Sequence, residues 1–422
     1  MDDAKRPAYD RSITALLICV FCSAAAALIG TTALGKQVYD LTHRDFNLGL
    51  LGLAEFAPSA FLVLVTGSIA DRFNRTKISA VSCVVQAVAG GGLAAYTLTR
   101  PRHVAPIFAF VLLFGVGRAF LAPSNRALPA DIVSAVDLPW LTARRAATWQ
   151  AAIIVGPVIG GFLYAVDPVW PYVAMAALLL ASGTAMLFVR YDRPRAQVRQ
   201  AGLRDALEGL RFIKRTPVLL GVISLDLFAV LFGGAVALLP AIATDRLGVG
   251  AVGLGWLRAA GGIGAATTTL FITRRPVRKH VGRVLLTVVA VFGTFTIVLG
   301  LTRSFVIAFA AMAVLSGADA VSVFIRSTLV PLATPFDKRG RVLAVESVFI
   351  GASNELGAFE SGVAGQLIGT AGAVALGGAA TLAVAGVYAV AFPVLRNLER
   401  FPTLTQETRA TGKARDAPDG GG

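Results

Sequence analysis

Eight of the ionisable side chains within the long apolar stretches of this chain are candidates for a function. They are Glu55, Arg118, Asp226, Arg258, Asp319, Glu346, Glu355 and Glu360. Charges are costly in hydrocarbon, so such residues either pair with one another or carry a function. A carboxylate in a low-dielectric cavity can bind and release a proton as its access to water changes. We therefore expect at least one of these carboxylates to carry a proton, and a structural Glu–Arg pair is the alternative for any single residue.

The composition indicates that most of the chain lies in lipid. Of the 422 residues, 56% are hydrophobic and 15% are charged, whereas soluble proteins contain about 25% charged residues. The net charge of +15 would suggest nucleic acid in a soluble protein. Here the lysine and arginine residues concentrate in alternate polar stretches, which is the bias of cytoplasmic loops in membrane proteins. The chain is therefore predicted to contact the lipid bilayer and to bind no nucleic acid.

Twelve apolar runs are long enough to span a bilayer, which takes about 20 helical residues. They cover residues 13–40, 46–66, 78–99, 104–126, 142–166, 168–189, 217–244, 250–273, 283–302, 304–330, 342–368 and 370–395. The pattern predicts an all-α membrane protein with twelve transmembrane helices. An even number of spans puts both termini on one side, and their basic residues indicate the cytoplasm.

The longest polar interval divides the spans into two sets of six. The predicted units are an N-terminal half at 1–189, a cytoplasmic linker at 190–216, a C-terminal half at 217–395 and a disordered cytoplasmic tail at 396–422. Within the linker, residues 203–213 have amphipathic helical spacing, which predicts a helix along the membrane surface. Gly117 and Arg126 recur 200 residues later as Gly317 and Arg326, which suggests two parallel repeats.

Residues 67–77 form a charged connection between the second and third apolar runs. Four of them follow a Gly-x-x-x-Asp-Arg-x-x-Arg pattern: Gly67, Asp71, Arg72 and Arg75. This pattern resembles the signature loop of the major facilitator superfamily. The resemblance implies a conformational switch, in which the aspartate joins the two halves at the cytoplasmic face. Asn74 replaces a usual glycine, and asparagine tolerates the positive φ of a tight turn.

A second pattern lies in the fifth apolar run. Gly156, Pro157, Gly160 and Gly161 resemble the GPxxGG motif of antiporters in the same superfamily. Proline removes one helical hydrogen bond, and the glycines let a neighbouring backbone approach closely. The motif favours export over uptake, with ordinary small-residue packing as the alternative.

Residues 317–365 resemble the branch of the superfamily that includes bacterial enterobactin exporters and macrolide efflux proteins. The resemblance implies two six-helix halves around a central cavity and transport by alternating access. It places Arg118, Asp226 and Asp319 on spans that line the cavity. It places Glu55, Arg258 and Glu355 on spans that form the seam between the halves. We expect the protein to act as a monomer.

Two other patterns are not interpreted as functional sites. Residues 30–37 nearly spell a phosphate-binding loop, but they lack its final Ser or Thr and no strand precedes them. ATP binding is therefore not expected. Cys19 and Cys22 have C-x-x-C spacing inside an apolar run and are interpreted as small buried hydrophobes, like Cys83. The sequence predicts no cofactor, no metal site and no enzymatic activity.

Together these features predict a secondary exporter in the bacterial inner membrane that moves a small molecule outward in exchange for protons. Two substrate classes stay open. A hydrophobic cavity with one or two acids favours a cationic drug such as a macrolide or a tetracycline, whereas Arg118 exposed to the cavity favours an anionic catecholate siderophore. A membrane sensor that does not transport is the alternative of another class.

Overall fold

The computed structural model describes residues 6–190 and 203–402, and every regular element in these ranges is helical. The helices of the first half of the chain are α1 (Arg6–Thr42), α2 (Asp45–Arg72), α3 (Arg75–Leu98), α4 (Ala105–Ile132), α5 (Leu138–Val166) and α6 (Trp170–Leu187). The remaining helices are α7 (Leu203–Arg215), α8 (Pro217–Phe232), α9 (Leu239–Ala241), α10 (Gly250–Arg274), α11 (Val281–Leu301), α12 (Phe305–Leu332), α13 (Phe336–Ile368), α14 (Thr370–Ala391) and α15 (Pro393–Arg396).

Ten helical segments of the described ranges are long and apolar enough to cross a membrane. One of them, Pro217–Arg246, runs from α8 through a 3-10 turn, α9 and a π turn. The two long helices α2 and α10 complete a bundle of twelve membrane-length segments. This agrees with the twelve predicted apolar runs, although the ends of several helices differ from the predicted ones.

The helices pair in the same way in both sets of six. In the first set, α1 packs on α5 and α6, α3 packs on α4 and α6, and α2 packs on α4. In the second set, the segment beginning with α8 packs on α13 and α14, α11 packs on α12 and α14, and α10 packs on α12. Helices α4 and α12 also have equal lengths, with ends that are 200 residues apart. The offset noted in the sequence is therefore repeated in the fold.

Two long seams join the two sets, because α5 packs along α10 and α2 packs along α13. Both seams depend on glycine. A Cβ at Gly255 would lie 2.5 Å from the Pro157 carbonyl oxygen, and a Cβ at Gly49 would lie 3.0 Å from the Ala358 carbonyl oxygen. A side chain at either position would push the helices apart.

The charged connection between α2 and α3 is shorter than predicted. Helix α2 continues to Arg72 and α3 begins at Arg75. Asn74 has φ −66°, so the expected positive φ is wrong. Its side-chain oxygen instead accepts hydrogen bonds from the Thr76 and Lys77 backbone N–H groups, at 2.9 and 3.2 Å. Asn74 is therefore the N-cap of α3, a role that its residue type also favours.

Three other predicted boundaries are corrected. Helix α5 begins at Leu138 rather than at 142, and α13 begins at Phe336 rather than at 342, so Lys338, Arg339 and Arg341 belong to the first turns of α13. The seventh predicted span is not one helix, because α8 ends at Phe232 and a 3-10 turn follows. The break lies where a Cβ at Gly357 would come within 2.7 Å of the Leu231 carbonyl oxygen.

The amphipathic helix α7 packs on the first turns of α13. Ile213 is fully buried, and Glu208 pairs with Arg341 at 2.9 Å. The beginning of the predicted tail is also packed, since Phe401 contacts Phe324 edge to face. Disorder is therefore wrong for residues 396–402. Residues 191–202 of the linker and 403–422 of the tail lie outside the described ranges.

Candidate functional site

A cavity of about 460 Å³ lies among α1, α2, α3, α4 and α5. Its polar lining consists of the side chains Ser23, Thr31, Glu55, Gln86, Arg118, Asn125, Arg126 and Arg145, together with the indole of Trp149. Arg126 and Arg145 lie near the helix ends that surround the α2–α3 connection, which we call the α2–α3 end. The opposite end, which holds the α1–α2 connection, is called the α1–α2 end. The cavity therefore extends from mid-bundle toward the α2–α3 end.

Arg118 and Glu55 form an ion pair within this cavity, between α4 and α2. The Arg118 side chain is 51% exposed, whereas that of Glu55 is only 14% exposed. One face of the guanidinium group is therefore exposed to the cavity, and Glu55 pairs with it on the buried side. The sequence placed Arg118 at the cavity and Glu55 at the seam, and the structure brings them together.

Two further arginines of the lining were not predicted as site residues. Arg126 is exposed and Arg145 is half-buried, and both face the same cavity. The sequence analysis used Arg126 only as a sign of repetition and did not consider Arg145, which lies close to the start of the fifth predicted span, as a site residue. Its neighbour Arg144 points elsewhere and stacks on Trp140, with its guanidinium carbon 4.2 Å from the ring centroid.

The seam brings two charges of the second half of the bundle close to the Arg118–Glu55 pair. A carboxylate oxygen of Glu355 lies over Gly52, 3.1 Å from the position of a Cβ there, and Glu355 interacts electrostatically with both residues of the pair. The guanidinium group of Arg258 lies against Gly35 and interacts electrostatically with Glu55. The Arg258 Nε is buried with no hydrogen-bond partner among the described residues. Two carboxylates and two guanidinium groups thus lie close together between the halves.

Asp226 and Asp319 occupy a different site from the predicted one. Asp226 pairs with Arg326 at 2.7 Å, and both side chains are almost completely buried within the second set of helices. Glu346 borders the same gap as this pair, and Asp319 borders a second gap beside Asp226. Neither aspartate is among the described residues that line the cavity, because each borders a gap within its own set of helices. The sequence missed the role of Arg326, although its equivalence to Arg126 had singled it out.

Polar contacts join the two halves at the α1–α2 end. The Tyr39 hydroxyl donates a hydrogen bond to Asp245, and the Thr370 hydroxyl donates one to Asp45 at 2.7 Å. A Cβ at Gly362 would lie 2.7 Å from the Gly49 Cα. The two halves are therefore in direct contact at this end, opposite the end toward which the cavity extends.

The predicted switch residues surround the α2–α3 connection. Arg75 pairs with Asp131 at 2.5 Å, which ties the start of α3 to the end of α4. The backbones of Gly67, Asp71 and Arg72 belong to the last turns of α2. Their side chains lie outside the described part of the structure, so the switching role stays a prediction.

The glycines of the GPxxGG pattern face two neighbouring helices. A Cβ at Gly160 would lie 3.1 Å from the Ile29 Cα, and Gly156 similarly faces Leu28, so both allow α1 to approach. Gly161 faces α10, where a Cβ would lie 2.5 Å from the Ala251 carbonyl oxygen. The motif thus packs α5 against a cavity helix and against the other half of the bundle.

The two patterns set aside in the sequence lie within helices. Residues 30–37 belong to α1, and Lys36 pairs with Asp40 one turn further on. Cys19 and Cys83 are fully buried around the Ser182 hydroxyl, at 3.1 and 3.4 Å.

The comparisons with known proteins agree with this architecture. The sequence profile of the Major Facilitator Superfamily matches residues 16–357. A relative named enterobactin exporter EntS, from Escherichia coli O6:K15:H31, is 24% identical over 401 residues, which cover 94% of this chain and 95% of the relative. The EntS of Escherichia coli O9:H4 is 23% identical over 391 residues, with 92% and 93% covered.

Solved structures show the same fold at low sequence identity. A bacterial homologue of the human lysosomal transporter Spinster, in an inward-facing conformation, has a TM-score of 0.66 at 15% identity, with 98% of this chain and 99% of that chain covered. A POT family transporter in complex with 5-aminolevulinic acid has a TM-score of 0.70 at 9% identity, with 91% and 96% covered. From the profile match and the helical architecture, we conclude that the chain belongs to the major facilitator superfamily and is a multi-pass membrane transporter.

Proposed function

We propose that this transporter exports a small organic anion of the catecholate siderophore class across the bacterial inner membrane, in exchange for protons. The observation that carries the proposal is the convergence of Arg118, Arg126 and Arg145 on one cavity. Glu55 is the only acid among the lining residues described, so the ionised lining carries a net positive charge. A site of this sign attracts anions and repels cations.

The remaining lining suits a planar, hydrogen-bonding ligand. Trp149 presents an aromatic face, and arginine binds oxyanions through a fork of donors. Gln86 and Asn125 add amide groups that can donate to or accept from hydroxyls. These features support a catecholate over a cationic macrolide, and the similarity to the enterobactin exporters of E. coli supports it independently.

The direction of access also supports export. The basic stretches cluster around the α2–α3 end, which we infer to be cytoplasmic by the positive-inside rule, together with both termini. The cavity extends toward this end, whereas contacts such as Tyr39–Asp245 join the halves at the other. A cytoplasmic anion thus enters the cavity, and separation of the α1–α2 end then releases it outward.

The Arg118–Glu55 pair couples substrate binding to a change in the contacts between the two halves. An anion that binds Arg118 competes with Glu55 for the same guanidinium group. Glu55 is then free to interact more strongly with Arg258, which lies on α10 in the other half of the bundle. Substrate binding would therefore strengthen an electrostatic contact across the seam.

The proposal is tested in bacteria that lack their own catecholate siderophore exporter. The chain is expressed under iron limitation, and intact siderophore in the medium is quantified for the wild type, for Arg145→Gln and for Arg144→Gln. We expect secretion with the wild type and Arg144→Gln, and a loss of about tenfold or more with Arg145→Gln, since one charged hydrogen bond contributes about 1.5–3 kcal/mol. No secretion by the wild type, with the protein confirmed in the membrane, would contradict the substrate class. Equal secretion by both variants would contradict the role of the cavity.

A further inference from the structure

One arginine and three carboxylates form a buried cluster, which we call the Arg326 cluster. Asp226 on α8, Asp319 and Arg326 on α12, and Glu346 on α13 contribute to it. It lies inside the C-terminal set of helices, away from the cavity that holds Arg118. The proposed function does not use it for substrate binding.

Among the residues that the structure describes, Asp226 is the only one of the three carboxylates with an ion-pair partner. Asp226 contacts a terminal nitrogen of Arg326 at 2.7 Å, and the side chains are 7% and 6% exposed. The Arg326 Nε is buried and has no hydrogen-bond partner within the described ranges. The arginine therefore keeps one unused donor, and Glu346 borders the same gap as the pair.

The charges of the cluster do not balance when all groups are ionised. The other residues that line the two gaps carry no charge, and those from α11 are Val288, Val289 and Phe292. An uncompensated charge in such a low-dielectric site is removed most readily by binding a proton. Asp226 already pairs with the arginine at 2.7 Å, whereas Asp319 and Glu346 have no ion-pair partner within the described ranges, which leaves these two as the proton acceptors.

Comparison of the two repeats shows that the acidic residue Asp319 is particular to the second half. At the offset of 200 residues between α4 and α12, Arg126 corresponds to Arg326, but Asp319 corresponds to Ala119. Arg126 is exposed at the cavity, whereas Arg326 is buried among acids. Of these two equivalent helices, α4 therefore contributes to an anion site in one half and α12 to an acidic cluster in the other.

We propose that Asp319 and Glu346, arranged around the Asp226–Arg326 pair, form the proton-binding site of this transporter. The proposal rests on the proposed function, because it assigns the driving protons to residues separate from the substrate cavity. Release follows when α8 and α13 shift and bring water or the free donor of Arg326 to Glu346. Proton binding then requires no substrate in the cavity.

The experiment detects protonated carboxyl groups directly, without substrate. Infrared spectra of the purified protein in lipid vesicles are recorded from acidic to alkaline pH, in the region where the carbonyl of a protonated carboxylic acid absorbs. The variants are Asp319→Asn, Glu346→Gln and their combination. Asp337→Asn, at an exposed position on α13, is the matched control, and monodisperse elution checks that each variant folds.

We expect the spectrum of the wild type minus that of the double variant to show a carboxylic acid band that disappears at alkaline pH. Each single variant should lose part of this band, and Asp337→Asn should lose none. A flat difference spectrum for all three cluster variants would overturn the proposal and leave the cluster a static ion-pair network. If the double variant does not fold, the two single variants decide in the same way. Because no substrate is used, this result is independent of the secretion experiment.

Discussion

At the scale of single residues, the partners of an arginine decide its role more than its position in the repeat does. Arg126 is exposed, has no ion-pair partner among the described residues, and faces the cavity. Arg326 meets Asp226 and is buried with it. A buried ion pair adds little net stability, but removal of one partner leaves a costly charge.

Within the Arg326 cluster, removal of Asp226 and removal of Arg326 should have unequal effects on stability. Asp226→Asn should destabilise the protein only mildly, because Arg326 can turn its free donor to Glu346. Arg326→Leu should destabilise it by about 3–5 kcal/mol, the range for a broken buried pair, because the three acids then lose the one cation among the described residues that line their gaps. Thermal unfolding of the purified variants in detergent measures the order. A larger loss in Asp226→Asn than in Arg326→Leu would contradict the exchange of partners.

A second residue-scale expectation concerns the N-cap of α3. Asn74→Ala removes the acceptor for two backbone N–H groups and should lower the free energy of unfolding by about 1 kcal/mol. Asn74→Asp retains an acceptor and should change it little. Equal destabilisation by both substitutions, measured by denaturant unfolding, would show that the cap is not the source of the effect.

The sequence predicted some of the site residues better than others. Glu55 and Arg118 were identified because charges in apolar runs stand out. Arg145 was missed because it lies close to the end of an apolar run, where a basic residue also marks the membrane surface. Asp226 and Asp319 were identified as functional candidates but were placed at the cavity, because the direction of a side chain on a buried helix depends on tertiary packing.

At the scale of helices, close backbone contact along α5 and α10 holds the two halves together. Gly161 and Gly255 face each other at this seam, and their counterparts Gly49 and Gly362 do the same between α2 and α13. The sequence predicted close approach at Gly161 from the GPxxGG pattern. It did not predict which helix packs there, because a glycine indicates a close contact without identifying the partner.

Gly161→Leu should therefore open the α1–α2 end. In a background with Cys19, Cys22 and Cys83 replaced by alanine, Ala27→Cys places a thiol in the cavity. A membrane-impermeant maleimide added outside intact cells should label this thiol more in Gly161→Leu than in the parent. Gly91→Leu is the control, because a Cβ there meets no atom within 4 Å. Equal labelling in the two leucine variants would contradict the role of the seam.

At the scale of the whole molecule, the two halves share a fold but differ in charge. The first half holds an arginine-lined cavity, and the second holds a buried acidic cluster. The twelve-helix fold was predictable, because hydrocarbon admits only helices or closed barrels and the apolar runs are long. The difference in charge between the two halves was not predictable, because Arg126 and Arg326 occupy equivalent positions in the repeat and the sequence does not show which of them is buried among acids.

The central claim is that the positive cavity moves an anion outward in exchange for protons. The most direct measurement uses energised everted membrane vesicles, with iron-free enterobactin as the anionic probe and erythromycin as the cationic one. We expect vesicles with the wild type to accumulate enterobactin but not erythromycin. Collapse of the proton gradient or Arg145→Gln should abolish this accumulation, and Arg144→Gln should preserve it. Accumulation of erythromycin instead, or accumulation of enterobactin that survives full collapse of the gradient, would contradict the claim.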